Sequence, residues 1–298
     1  MRTFFQMVKR NIKIFFKDKG VLFTSLITPI ILLVLYATFL AKVYKSSFMS
    51  SLPEGFEVSE KLINGMVSGE LFSSLLAVSC VTVAFCANMI MVTDKVTGAR
   101  KDMLVSPVKK SVLAGSYYVG TLATTIIVSL VAMVASLIYV AITGWFLSFG
   151  DCMLLLVDII LLTMFGTALS SLINMFLHSQ GQISAVGTIV SAGYGFICGA
   201  YMPISQFSDG LQKVIMFLPG TYGTSLLRNH ALHGVFAEMS NSNFPPEVVE
   251  AVKDSVDCNL YFFDTKVSIG AMYAVLTISV AVIIGAYILL NGLNKKRV

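Results

Sequence analysis

The stretch that decides the fold runs from Leu71 to Lys110 and reads LFSSLLAVSCVTVAFCANMIMVTDKVTGARKDMLVSPVKK. Residues 71–92 carry no charge and are mostly apolar, whereas residues 94–110 hold five lysines and arginines together with a glycine and a proline. The next forty residues, 111–150, again contain no ionisable group except tyrosine. Two apolar runs of more than about 20 residues, divided by a short basic segment, indicate two passes through a lipid bilayer.

The composition of the whole chain indicates an integral membrane protein. Of its 298 residues, 56% are hydrophobic and 12% are charged, whereas soluble domains contain about 25% charged residues. The chain therefore lacks the polar residues that would cover a soluble protein of this size. The net charge of +5 is not a nucleic-acid signal, because the basic residues lie in short segments beside apolar runs. We expect membrane lipids as partners, and no nucleic acid.

Six apolar runs are long enough to be spans, since about 20 helical residues cross the roughly 30 Å of hydrocarbon. Helices are expected because unpaired backbone groups in lipid are too costly and the runs lack the alternation of strands. We predict an all-α fold with a single transmembrane domain over residues 1–298. The six predicted spans cover residues 21–41, 71–92, 112–142, 152–177, 183–202 and 267–290.

The distribution of charge predicts the orientation. Six lysines and arginines lie in residues 1–20, five lie in residues 93–110, and three follow Leu290, whereas the loop after the first span and residues 235–266 are rich in acids. Basic loops remain in the cytoplasm. We therefore place both termini and residues 93–111 on the cytoplasmic side of the cell membrane, and residues 235–266 in an extracellular loop.

Residues 1–20 have the pattern of an amphipathic helix. Phe4, Val8, Ile12 and Phe15 fall on one face at 100° per residue, and basic side chains cover the opposite face. This sorting favours an interfacial helix on the cytoplasmic surface of the membrane. The alternative is a set of scattered positive charges that only signals topology.

The segment after the fifth predicted span does not fit a plain loop. Pro203 should stop the preceding helix, and the apolar patch of residues 211–218 is too short to span and ends at Pro219. Two prolines around an apolar helix favour a re-entrant hairpin over residues 203–234, sheltered by other protein. The alternative is an ordinary outer loop with one apolar turn.

The sequence shows no catalytic constellation and no cluster with metal-ligand spacing. His230 and His233 lack a nearby cysteine or carboxylate in the sequence, which favours a pair on the protein surface over a metal site. Asp158 is the one acid inside a predicted span; a relay role and a hydrogen bond from a neighbouring hydroxyl both remain open. A disulfide between Cys152 and Cys258 also remains open.

Small polar residues form two stripes at helical spacing. Either stripe has two interpretations: close packing of helices, or a mildly polar wall for an amphiphilic cargo. For the hydroxyl and amide groups the choice is open. These candidate pathway residues are Ser79, Thr82 and Asn88 in the second span, and Ser184, Thr188 and Ser191 in the fifth.

Three local motifs, in this order, resemble the six-helix membrane subunits of ATP-binding-cassette exporters, the ABC-2 permease family. The first is Lys17-Asp18-Lys19-Gly20 with Thr28-Pro29. The second comprises Asp94, Gly98, Arg100, Leu104, Ser106 and Pro107. The third comprises Gly199, Tyr201, Pro203, Leu218-Pro219, Thr221-Tyr222 and Leu227-Arg228. The chain departs from the family pattern where Lys101 and Asp102 replace a frequent glutamate, and where Ser208 replaces a proline.

The resemblance implies half of a type V-like exporter. Two copies, or one copy and a related permease, would pair around a central pathway and dock onto two separate ATPase subunits. ATP and Mg²⁺ would be bound by those ATPases, with no cofactor on this chain. The family's loop between spans two and three is its coupling helix, and residues 93–111 match it. The expected coupling residues are Asp94, Gly98, Arg100, Met103, Leu104 and Pro107. The expected hairpin residues are Gly199, Pro203, Pro219, Tyr222 and Arg228.

We therefore expect the permease subunit of an ATP-driven exporter, with a drug-like, lipid, peptide or glycan-linked cargo. The sequence contains no GxxxxGK[ST] motif, so ATP hydrolysis belongs to another chain. The alternative is a proton- or ion-coupled secondary transporter, which the lack of paired ionisable residues within the spans and of internal repeats disfavours. A membrane-embedded enzyme is disfavoured because no cluster of His, Asp or Glu is apparent.

Overall fold

The computed structural model describes residues 2–50, 58–105 and 108–293. Almost all of the regular structure in these ranges is helical. The helices are α1 Arg2–Lys17, α2 Lys19–Leu35, a π-helical turn Tyr36–Leu40, α3 Ala41–Ser50, α4 Glu60–Val96, α5 Ala99–Val105, α6 Lys110–Thr143, α7 Phe149–Met175, α8 Gln180–Ile197, a 3₁₀ turn Ile204–Gln206, α9 Asp209–Ile215, α10 Pro219–Asn241, α11 Pro246–Ser255 and α12 Ile269–Leu293. Two short strands, β1 Leu260–Phe262 and β2 Thr265–Val267, precede α12.

Within the described residues, five helical stretches are long and apolar enough to cross a membrane, which confirms a multi-pass, all-α membrane protein. These stretches are Lys19–Ser50, Glu60–Val96, Lys110–Thr143, Phe149–Met175 and Ile269–Asn291. The predicted span 183–202 corresponds to α8, which is not among them. Four glycines and two glutamines lower its apolar content, and the chain turns at Gly199, whose φ is +74°. The count of six spans therefore stays a prediction.

Helix α4 is the centre of the molecule. It begins at the N-cap Ser59, whose side chain accepts a hydrogen bond from the backbone N–H of Leu62, and it contacts α2, α6, α7, α8 and α10. Nearly every side chain from Met66 to Asn88 is buried. Close approach is possible because Gly166 of α7 lies against the backbone of α4, where a Cβ would stand 2.9 Å from the Cys80 carbonyl oxygen.

Helix α1 packs along α6, and its apolar face is buried in part and exposed in part. Val8 and Phe15 are buried, whereas Phe5 is 64% exposed and Phe16 is 38% exposed. The helix ends at Lys17, and Asp18 begins α2 by accepting a hydrogen bond from the Val21 backbone N–H. The apolar face therefore contributes both to the protein core and to an outward-facing apolar edge.

The segment 235–266, predicted as a loop, contains regular structure. Helix α10 continues to Asn241, and α11 starts with Pro246 in its first turn. The strands pair antiparallel, with Leu260 opposite Val267. Strands of three residues are too short to be recognised from alternating hydrophobicity, so none was predicted there.

Candidate functional site

The predicted coupling segment 93–111 contains the short helix α5. Helix α4 ends at Val96, and the chain turns at Gly98, whose φ of +85° favours glycine. A Cβ at Gly98 would meet no atom within 4 Å, so the requirement for glycine there comes from the backbone angle alone. Pro107, a predicted coupling residue, lies outside the described residues.

Asp94 points into the protein and joins three helices. It is 4% exposed, and its two carboxylate oxygens accept hydrogen bonds from the Arg10 guanidinium of α1, both at 2.8 Å. The Tyr117 hydroxyl of α6 donates a third bond at 2.7 Å. Such charge-assisted, bidentate contacts are the strong ones in proteins. Asp94 therefore fixes α1, α4 and α6 next to α5 and offers no free carboxylate to a partner.

Lys95 fixes the same end of the molecule to α7. Its ammonium group donates to the backbone carbonyls of Asn174, Met175 and Leu177, at 2.9, 2.8 and 3.2 Å. These carbonyls belong to the last turn of α7 and the residues just after it, where helices leave acceptors unpaired and favour a cation. The base of α5 is thus held by two polar junctions.

The side chains of α5 divide into half-buried and exposed groups. Met103 and Leu104 are half-buried against the chain's own cluster of Met7, Met91, Leu113, Tyr117, Met175 and Tyr287. Arg100 is also half-buried, whereas Lys101 and Asp102 are exposed. Val105 is 89% exposed. Met103 and Leu104 were expected as coupling residues, whereas Val105, the most outward-facing apolar side chain of this helix, was not among them.

The polar stripe on α4 faces the interior of the chain. Ser79 and Thr82 are each 1% exposed, and they donate to carbonyl oxygens of their own helix at 2.7 and 2.9 Å. Asn88 donates to the Ser170 and Ser171 hydroxyls of α7 at 3.1 and 2.9 Å. In this arrangement the α4 stripe packs and links helices.

The polar stripe on α8 is placed differently. Ser184 and Thr188 are exposed, and Ser191 is half-buried. The Thr188 hydroxyl donates to the Ser184 carbonyl at 2.9 Å, so it is satisfied within its own helix. The structure therefore separates the two predicted stripes: one is internal and the other lies on an outward face.

Arg228 is the centre of a buried polar cluster. Its guanidinium donates to the Val256 carbonyl at 3.0 Å, the Asp257 carboxylate at 3.3 Å, and the Ser74 hydroxyl and Gly199 carbonyl at 3.0 Å each. Burial raises the pKa of Asp257 to about 6, and Arg228 opposes this shift. Arg228 therefore connects α4, α10, the turn after α8 and the end of α11.

The other predicted hairpin residues shape the turns around this cluster. Gly199 adopts a left-handed conformation, and a Cβ there would stand 3.0 Å from Ile204 and 3.2 Å from Asp257. Pro203 begins the 3₁₀ turn, and Pro219 lies in the first turn of α10. The Tyr222 hydroxyl donates to the Met216 carbonyl at 2.6 Å.

Asp158 has partners that the sequence did not reveal. Its carboxylate binds the His230 imidazole of α10 at 2.6 Å and accepts from the Tyr273 hydroxyl of α12. The prediction of a surface histidine pair is wrong for His230, which is 7% exposed. His233 is exposed and contacts Asp151 at 2.9 Å. The two acids lie seven residues apart on α7 and the two histidines three apart on α10, so the spacings do not match and gave no sign of these contacts.

The structure also bears on the disulfide and the metal site considered from the sequence. Cys152 and Cys258, for which a disulfide was left open, are both free thiols. Among the described residues, no three His, Cys, Asp or Glu side chains come together in a group that could hold a metal ion.

Comparison with known proteins gives one match. The family model of the ABC-2 type transporter matches residues 2–231. Searches of curated proteins and of solved structures give no significant match. The matched range covers α1 to most of α10, including both polar junctions at α5 and Arg228 itself, whereas the Arg228 partners Val256 and Asp257 lie beyond it.

Proposed function

The chain belongs to the ABC-2 type transporter family, and we propose that it is the permease subunit of an ATP-driven exporter. It is a membrane transport subunit; in our proposal, ATP and Mg²⁺ are bound by two copies of a separate ATPase. A second copy of the chain, or a related permease, completes the pathway. The cargo is an amphiphile, such as a drug, lipid, peptide or glycan-linked lipid, moved outward from the cytoplasm or the inner leaflet.

The observation that carries this proposal is that helix α5 is exposed on one side and attached to several other helices at its base. The helix is short, its Val105 and Lys101 are exposed, and its base is fixed by Asp94 and Lys95 to the ends of several long helices. A soluble partner that contacts α5 meets both charge and an apolar side chain, which suits a specific interface.

The two junctions supply a physical route for coupling. A displacement of α5 acts on α4 directly, on α1 and α6 through Asp94, and on α7 through Lys95. Packed helices shift as rigid bodies between discrete arrangements. ATP-driven closure of the ATPases would therefore change access to the pathway by moving these helices together.

We further propose the topology of a type V-like exporter, with six spans and cytoplasmic termini. Helix α8 has 18 residues, about 27 Å of helix, which approaches the thickness of the hydrocarbon core. Helices α9 and α10 form the re-entrant hairpin. Contacts of α10 with α4, α7 and α12 support this, because those neighbours shelter its polar side chains.

For the pathway, the structure favours the stripe on α8. Ser184 and Thr188 face outward from this chain and are available to a second permease copy or to cargo. Ser79, Thr82 and Asn88 face inward, so in our proposal they support packing unless the helices move apart. The Asp158–His230 pair removes one argument against proton coupling, although its side chains are only 1% and 9% exposed.

Co-purification tests the proposal. The full chain, expressed with its chromosomal neighbours, should recover a P-loop protein that hydrolyses ATP. Val105→Asp and Leu104→Asp should each lower ATP hydrolysis in the complex without loss of membrane insertion. Phe263→Asp, at an exposed position of the β1–β2 turn, is the matched control. Transport by the chain alone under a proton gradient, with no ATPase recovered, would contradict the proposal.

A further inference from the structure

A groove lies between the start of α6 and the end of α12. It encloses about 470 Å³, a volume within the roughly 300–1,000 Å³ of small-molecule sites. Its walls come from residues 110–119 and 284–291. We propose that this groove binds one glycerophospholipid with an anionic headgroup.

The body of the groove is suited to an acyl chain. Val119, Ile284 and Ile288 line it, and Ile288 is 63% exposed. Gly115 adds no side chain to the wall. Apolar side chains that stay open at the side of a membrane helix make contact with lipid hydrocarbon.

One end of the groove is polar and basic. Lys110 and Ser111 lie at the start of α6, and Asn291 lies at the end of α12. Lys110 is exposed, as is the neighbouring Lys109, whereas the Asn291 amide already donates to the Tyr287 carbonyl. The lining includes no acidic side chain. Lysines at the edge of an apolar groove favour a headgroup that carries negative charge.

Tyr118 provides a second, independent observation. Its side chain lines the groove, yet its hydroxyl is shielded from solvent and has no hydrogen-bond partner among the described residues. Buried hydroxyl groups are nearly always hydrogen-bonded. Side chains on a helix lean toward its N-terminus, so this hydroxyl lies on the Lys110 side of its own backbone. Because the hydroxyl is shielded, a lipid oxygen reaches it only when the Tyr118 ring turns toward the groove; a phosphate or ester oxygen then supplies the missing acceptor.

The position of α1 places this site at the membrane surface. A Cβ at Gly115 would stand 3.4 Å from the ring of Phe4, so the amphipathic helix borders the groove. In the proposed topology this is the cytoplasmic surface, where anionic lipids are common. The lipid site requires α1 at the interface and does not depend on whether an ATPase binds α5.

Photolabelling of the full chain in lipid nanodiscs tests the site. The probe is phosphatidylglycerol with a diazirine in its acyl chain, and the label is mapped by peptide mass spectrometry. We expect labelled peptides from residues 110–119 and 284–291, with competition by unlabelled phosphatidylglycerol and not by phosphatidylcholine of the same chains. Lys110→Gln should weaken competition about fivefold, the effect of one basic side chain at a membrane surface.

Matched variants separate the site from general lipid contact. Val119→Trp fills the groove and should remove the label, whereas Val131→Trp, at a 65% exposed position further along α6, should not. Lys13→Gln, an exposed lysine of α1, controls for Lys110→Gln. Equal competition by phosphatidylcholine, or labelling that neither groove variant changes, would overturn the proposal.

Discussion

Replacing Arg228 with methionine should destabilise the protein strongly. The change removes four hydrogen bonds and leaves the Asp257 carboxylate, 5% exposed, without its cation. Removing one partner of a buried ion pair costs about 3–5 kcal/mol. If about 1 kcal/mol moves the melting temperature by 2–4 °C, as in chains of 150–250 residues, we expect a loss of about 6–20 °C.

The loss should depend on pH, because Arg228 opposes the rise that burial causes in the pKa of Asp257. Without Arg228 that pKa rises further above its unfolded value. The folded state then binds the proton more tightly than the unfolded state, so stability returns as the pH falls through the folded-state pKa. The melting temperature of Arg228→Met should therefore lie closer to the wild-type value at pH 5 than at pH 8.

Thermal unfolding followed by intrinsic fluorescence in detergent measures both effects. Lys213→Met, an exposed basic residue of α9, controls for the loss of a positive charge and should change the melting temperature little. The double variant Arg228→Met with Asp257→Asn removes both charges and should recover part of the loss. Two results would refute the role of the buried pair. The first is a melting temperature for Arg228→Met within 2 °C of wild type at pH 8. The second is full additivity, in which Asp257→Asn lowers the melting temperature of Arg228→Met by as much as it lowers that of the wild type.

Three further changes test the remaining clusters. Asp94→Ala leaves the buried Tyr117 hydroxyl and the half-buried Arg10 guanidinium without their acceptor. It should therefore lower the free energy of unfolding by about 1–3 kcal/mol and loosen α1, measured as faster proteolysis of the N-terminal helix; unchanged proteolysis would count against the junction. Gly98→Ala should lower the free energy of unfolding by about 1–2 kcal/mol because residue 98 has a left-handed backbone, and Gly98→Asn should lower it less. Gly193→Ala, at an open helical position, is the control in the same melting assay. Asp158→Ala should lower the melting temperature more than Asp158→Asn, since the one amide oxygen of asparagine still accepts a hydrogen bond from either His230 or the Tyr273 hydroxyl; equal losses would show that charge, and not hydrogen bonding, holds that cluster.

The long apolar runs made most of the fold predictable from the sequence. The run from Leu71 to Val92 contains no charge, and the structure places it within the central, almost fully buried helix. Helix α10 was harder, because its buried side chains include Arg228 and His230 and its apolar content is low. Burial there depends on neighbouring helices that supply partners, which no local pattern shows.

For the candidate site, the sequence indicated the turn at Gly98 but not which residues the side chains contact. Gly98 marked the turn before α5, since a left-handed backbone favours glycine. The partners of Asp94 lie 84 residues before it and 23 residues after it, and the order of helices in space decides such contacts. The same limit applied to Met103 and Leu104, because the sequence shows an apolar side chain but not the direction in which its helix faces.

Site-specific photo-crosslinking to the ATPase tests the central claim most directly. A photoreactive residue is placed at Val105 of α5, and in a second variant at Phe263 of the β1–β2 turn, within the complex recovered from native membranes. We predict a crosslink to the ATPase from position 105 and none from position 263. A crosslink from position 263, or none from position 105 while the complex stays intact, would contradict a coupling role for α5.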